Sequence, residues 1–103
     1  MTNKYHARKT YSQLCDRIFD SKAEARRAEE LRLLEMAKEI EGLGYQVKFV
    51  LCEKPRITIT VDFSYNENGV TVYEDVKGMM MREFRVKLAW LKEKHGVSVK
   101  ITR

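Results

Sequence analysis

Two aspartates and a lysine stand at the ends of two strand-like runs: Asp62 in the first, Asp75 and Lys77 in the second. In Arg56–Phe63 the residues alternate, with Ile57, Ile59, Val61 and Phe63 on one face and Arg56, Thr58, Thr60 and Asp62 on the other. In Val70–Lys77, Asp75 and Lys77 share a face because residues two apart in a strand point the same way. Asn68-Gly69 between the runs predicts a two-residue type I′ hairpin turn. A turn centred there pairs Glu67 with Val70, Tyr65 with Val72 and Phe63 with Glu74. Continued, the same register sets Asp62 opposite Asp75, Val61 opposite Val76 and Thr60 opposite Lys77. Like charges directly opposed on a sheet destabilise it, and a divalent cation with Lys77 nearby would relieve the conflict.

The chemistry such a group supports is phosphodiester hydrolysis. That reaction needs a Lewis acid against the phosphate, a water of lowered pKa and stabilisation of developing charge. Mg²⁺ takes hard oxygen ligands, commonly one or two carboxylates with waters and phosphate oxygens. Asp62, Asp75 and the Val76 carbonyl can supply them, and Lys77 can hold the attacking water or meet a phosphate oxygen. The plainer alternative is an exposed sheet face carrying a surface Lys–Asp pair of little energetic worth. Glu24 has two readings as well. In Ser21-Lys-Ala-Glu24 it is the fourth residue of a capping box, which accounts for it fully and is the reading its spacing favours. It also shares a helix side with Ala28 and Leu31, from which it can point inward as a metal ligand. Gln46 faces away from Tyr45, Val47 and Phe49, either as an ordinary polar strand residue or as a group orienting water or phosphate near the acids.

These residues sit in a chain of 103, enough for one domain with a modest core. With 44% apolar and 34% charged residues, the composition is that of a soluble globular protein. No run approaches the roughly 18 apolar residues of a membrane span, and no signal-peptide pattern opens the chain, so the expected location is the cytoplasm. Cys15 and Cys52 lack zinc-ligand spacing and are expected to be free thiols. His6 and His95 are not spaced for acid–base work with a nucleophile, and no Walker loop, nucleophile elbow or dinucleotide fingerprint is present. A net charge of +5 favours a polyanionic partner. Lys4, Arg8 and Lys9 are interleaved with Tyr5, His6 and Tyr11 ahead of the first acidic residue, Asp16. This suits phosphate and stacking contacts as well as it suits a solvated terminus.

The elements that must position the site follow from capping and periodicity. A helix is predicted from Ser21 to about Gly42, then a strand over Tyr45–Leu51 with Tyr45, Val47, Phe49 and Leu51 on its core side. After the hairpin, a second helix is predicted from about Met80 to His95, stopped by Gly96, then a strand over Val97–Ile101. Arg82, Arg85, Lys87, Lys92 and Lys94 make the second helix either a nucleic-acid-tracking ridge or a solvated face, with Lys87 nearest the Phe84/Leu88 stripe. Met79–Met81 reads as core or interface filler. The expectation is a basic arm over 1–20 and one domain over 21–103. That domain is α/β or α+β, with a mixed sheet flanked by helices and the last strand joining in parallel.

Asp62 followed by Asp75-Val76-Lys77, between a glutamate-bearing helix and a closing helix and strand, resembles the PD-(D/E)XK nuclease superfamily, whose αβββαβ core matches essentially the whole chain. More narrowly, Phe19–Ala25, Val61–Phe63 and Glu74–Gly78 are similar to a small phage and prophage family of unknown function, and archaeal-type Holliday junction resolvases share the layout. The resemblance implies Asp62 and Asp75 as metal ligands and Lys77 as the catalytic lysine. It also makes Glu24 the helix glutamate completing the metal site, against the capping reading. Val61 stands where the namesake motif has proline. The implied activity is a Mg²⁺-dependent endodeoxyribonuclease, with Mn²⁺ substituting, acting on branched DNA such as Holliday junctions. A C2 homodimer in a bacterial host cytoplasm is expected, since a small domain offers little surface for two symmetric cuts. Lys4, Arg8, Lys9, Lys22, Gln46 and Lys87 would contact the nucleic acid. The competing expectations are a general or nicking nuclease and a basic DNA-binding module without turnover.

Overall fold

Strict alternation in the hairpin, two capped amphipathic segments and a short apolar tail produce a mixed α+β fold in the computed structural model, which describes residues 8–103. The elements are β1 (Thr10–Ser12), β2 (Arg17–Phe19), α1 (Lys22–Met36), β3 (Glu41–Cys52), β4 (Ile57–Glu67), β5 (Val70–Val76), α2 (Arg82–His95) and β6 (Val99–Thr102). β3, β4 and β5 form an antiparallel meander, β6 joins β5 in parallel, and β1 pairs with β2 as a separate hairpin. The expected αβββαβ order is present, with the sheet flanked by helices. Among the described residues no helix is long and apolar enough to cross a membrane, and Cys15 and Cys52 are free thiols.

Three boundaries differ most from expectation. Residues 10–19, assigned above to the arm, fold onto α1: Phe19 lies in the core, and Ser12 is buried with its hydroxyl donating to Glu29 at 2.6 Å. The folded unit therefore begins by Thr10, because an apolar residue just before the helix cap needs a partner and finds the core. α1 ends at Met36 rather than near Gly42. The Glu39 amide donates to the Leu34 carbonyl and the Lys38 amide to that of Glu35, a Schellman ending that Lys38 permits by adopting a φ of 64° without a glycine. β3 accordingly starts at Glu41, ahead of Tyr45.

The long β3–β4 ribbon serves two small cores. Phe63 and Tyr65 pack with Phe19, Ala25, Ala28, Leu31 and Ile40 on the α1 side, with Tyr45 against them. Ile59 and Leu51 pack with Leu91 of α2, joined by Phe49, Phe84 and Leu88. Tyr45 and Phe49, expected on one continuous core side, thus belong to different clusters. Gln46 lies between them with a φ of 52°. Each fully buried Leu, Ile or Phe contributes about 1.5–3 kcal/mol.

Candidate functional site

The hairpin forms with the predicted turn, Asn68 and Gly69 both at positive φ, and with the predicted pairs Glu67–Val70, Tyr65–Val72 and Phe63–Glu74. The ladder then stops. Asp62–Asp75, Val61–Val76 and Thr60–Lys77 are not backbone pairs, because side chains replace the rungs. The Asp62 amide donates to Asp75 Oδ1 at 2.9 Å, and the Val76 amide donates to Asp62 Oδ2 at 2.9 Å. β4 and β5 part at this reciprocal clasp while β5 turns to β6, where the Lys77 amide reaches the Thr102 carbonyl at 2.9 Å. The remaining Asp75 oxygen, Oδ2, is buried and accepts no hydrogen bond from any described residue; the Lys77 ammonium lies 3.3 Å from it but is not aligned to donate. Lys77 also sits 4.1 Å above the Phe84 ring, so α2 helps to place it.

The Glu24 backbone and side chain part company: its amide takes part in the helix cap, while its carboxyl bonds to Gln46 rather than back to the Ser21 amide. Ser21 caps α1, its hydroxyl accepting from the Glu24 amide at 3.1 Å. The Glu24 side chain is only 7% exposed and turns toward the aspartates. Burial pushes its pKa up to about 7, reinforced by repulsion from Asp62, Asp20 and Asp75 and opposed by Lys77. Asp62 rises to about 6, chiefly by burial and then by repulsion from Asp75, against the Val76 amide and Lys77. Gln46 joins the two acids, its Nε2 lying 3.4 Å from both Glu24 Oε2 and Asp62 Oδ1. Its left-handed backbone inside a strand is a strained conformation of the sort found at functional sites, costing about 1–3 kcal/mol.

The feature that sequence reasoning missed is Glu74. It is fully buried and completely satisfied: Arg27 Nε and Nη2 donate at 2.6 and 3.0 Å, Tyr65 at 2.7 Å and Thr102 at 2.8 Å. Burial alone would raise its pKa, but the bonds from Arg27, Tyr65 and Thr102 outweigh burial and hold it below the usual carboxylate range. This network ties α1, β4, β5 and β6 together one residue before Asp75. The available signal was a glutamate at an apolar-face position of the second strand, between Val72 and Val76.

Among the described residues no group of three or more His, Cys, Asp or Glu side chains is arranged to hold a metal ion. Of the expected set of Asp62, Asp75, Val76 and Glu24, Asp62 Oδ2 and Asp75 Oδ1 each accept from a backbone amide, and Val76 enters the clasp through its N–H rather than its carbonyl. What converges is a cluster of two buried acids, Glu24 and Asp75, and the half-buried Asp62 with one lysine, one carboxylate oxygen lacking a hydrogen bond from any described residue. A hard cation fits that donor chemistry, since Mg²⁺ needs only one or two carboxylates beside water and phosphate.

The expected nucleic-acid contacts divide. Lys4 lies outside the described residues, as do Tyr5 and His6. Arg8 and Lys22 are exposed. Lys9 pairs with Asp20 at 3.3 Å on the surface, and Lys87 lies 3.6 Å from Glu83. Lys94 is occupied in the fold, donating to the Leu51 carbonyl at 2.9 Å. Two hollows flank the acids: one of about 540 Å³ bounded by Ser21, Val76, Lys77 and Met79, and one of about 220 Å³ bounded by Phe19, Asp20, Glu24 and Gln46. A larger hollow, about 750 Å³, lies elsewhere, between α2 and the start of β4.

No curated protein and no solved structure matches the chain. Residues 2–102 match the family model described as "Protein of unknown function (DUF1064)", and on that nearly full-length match the chain belongs to the DUF1064 family.

Proposed function

We propose that the protein is a metal-dependent endodeoxyribonuclease acting on branched DNA, working as a C2 homodimer in the cytoplasm. The observation that carries this reading is the Asp62–Asp75 clasp with Lys77 3.3 Å from an unsatisfied, buried Asp75 oxygen. Three carboxyl groups, two of them held above their ordinary pKa, describe a place short of positive charge. Asp75, Asp62 and Glu24 would hold Mg²⁺, or Mn²⁺ in its place, which when bound supplies Lewis acidity against a phosphate oxygen and lowers the pKa of water. Lys77 would orient that water or meet a phosphate oxygen. Phe84 steadies its ammonium by a cation–π contact. Gln46 fixes the spacing of Glu24 and Asp62, and the Glu74–Arg27 network fixes β5 beneath Asp75. The net charge of +5 and the exposed Arg8 and Lys22 suit an approaching phosphate backbone.

The test is cleavage of a four-way junction, linear duplex and single-stranded DNA in Mg²⁺, Mn²⁺ or EDTA. Metal-dependent cutting of the junction is expected, lost in Asp75→Ala and Lys77→Ala with DNA binding retained. Equal cutting of every substrate would make the protein a general or nicking nuclease. Binding without cutting would make it a DNA-binding module, and undiminished cutting by either variant would refute the catalytic assignment.

A further inference from the structure

The hollow between α2 and β4 lies away from the acids but is joined to them by α2. One stripe of that helix (Phe84, Leu88, Leu91) packs into the second core, and Phe84 supports Lys77. The neighbouring stripe (Arg82, Glu83, Val86, Lys87, Trp90) lines the hollow together with Arg56, Ile57 and Thr58 of the β4 end. Trp90 and Val86 are 36% and 56% exposed, so the floor offers an indole and aliphatic surface to solvent. Its rim carries three cations against one carboxylate. Lys87 and Arg56 have loose partners in Glu83 and Glu53, at 3.6 and 3.5 Å, and Arg82 has no ion pair among the described residues.

From this combination we infer that the hollow is a binding site for an unpaired stretch of nucleic acid, one base stacking on Trp90 while flanking phosphates meet Arg82, Arg56 and Lys87. Aromatic faces supply sequence-tolerant stacking, and a basic rim tracks the backbone. A second copy meeting face to face would set these cations against their own images, in a chain already at +5, which disfavours that occupant. The inference deepens the nuclease reading and rests on it for the identity of the strand: a cutter of branched DNA meets unpaired bases where helices diverge.

Trp90 is the single tryptophan of the chain, so its emission reports on this hollow alone. Titration is done in EDTA, where no cleavage occurs, with a short oligothymidylate, an abasic strand of equal length and polyglutamate. The oligothymidylate is expected to quench emission by at least half, and the other two to leave it nearly unchanged. Trp90→Ala, followed by anisotropy of a labelled strand, should abolish the preference for base-bearing over abasic DNA. Arg82→Ala should weaken binding at least threefold and reduce the salt dependence by about one counterion. The inference is overturned by equal quenching from the abasic strand or polyglutamate, by unchanged emission, or by a blue shift on raising protein concentration alone. Quenching without any cleavage in Mg²⁺ would refute the nuclease reading and leave this site standing; cleavage without quenching would do the reverse.

Discussion

Neutralising Glu24 while keeping its shape should stabilise the metal-free protein, and only at higher pH. The Glu24 carboxyl sits at about 7 against its ordinary 4.5, through burial first and then the neighbouring acids. An acid whose pKa is higher folded than unfolded is penalised as it ionises. The penalty is absent well below pH 4.5, grows as pH rises and is complete above about pH 7. At about 1.4 kcal/mol per pH unit, the ceiling is about 3 kcal/mol. Water reaching the open side of the cleft screens part of it, leaving on the order of 1–3 kcal/mol. Asp62, raised from 3.8 to about 6, adds in the same direction, and because the two acids interact their contributions do not sum. Glu74 has the opposite sign: held below its usual range, it loses stability only as pH falls. In EDTA, then, the wild type should lose stability between pH 5 and pH 8, and Glu24→Gln should lose markedly less. The difference at pH 8 should correspond to a rise in Tm of roughly 4–24 °C. Urea denaturation followed by circular dichroism at the two pH values checks this. Identical pH slopes for the variant and the wild type would refute the placement of Glu24 among the acids.

Three further outcomes follow from the same geometry. Millimolar Mg²⁺ should raise Tm at pH 8 in the wild type and much less in Asp62→Asn, because a cation bound only by the folded state stabilises it by mass action; equal shifts in both would place the cation elsewhere. Arg27→Ala strands the fully buried Glu74 and should cost about 3–5 kcal/mol, read as a lowered denaturation midpoint, with a loss under 1 kcal/mol counting against the network. Gln46→Gly relieves the left-handed backbone while deleting the bridge between Glu24 and Asp62. Its stability should hold or rise by about 1 kcal/mol while cleavage falls at least tenfold, and a variant as active as the wild type would remove Gln46 from the site.

The local signals in this chain were legible because each is set by neighbouring residues. Asn68-Gly69 imposes its turn since both positions accept positive φ, and alternation from Ile57 to Tyr65 admits one register beside it. Ser21 caps its helix and Gly96 ends the other in the left-handed region for the same local reasons. The end of α1 was not legible, because Lys38 takes a conformation usually left to glycine and the cost is met by carbonyls three and four residues away.

The site divides along the same line. The sequence by itself determined which acids and which lysine lie at the end of the hairpin, since strand period and turn length are properties of the chain alone. Only the tertiary structure decided what those acids do. The packing of α1 buries Glu24 beside the aspartates, and Asp62 and Asp75 exchange hydrogen bonds with each other's strands instead of standing opposed. Arg27, 47 residues from Glu74, neutralises a charge that would otherwise be untenable at that depth. Such contacts depend on the distance between elements, and desolvation and Coulomb energies follow that distance rather than the spacing along the chain.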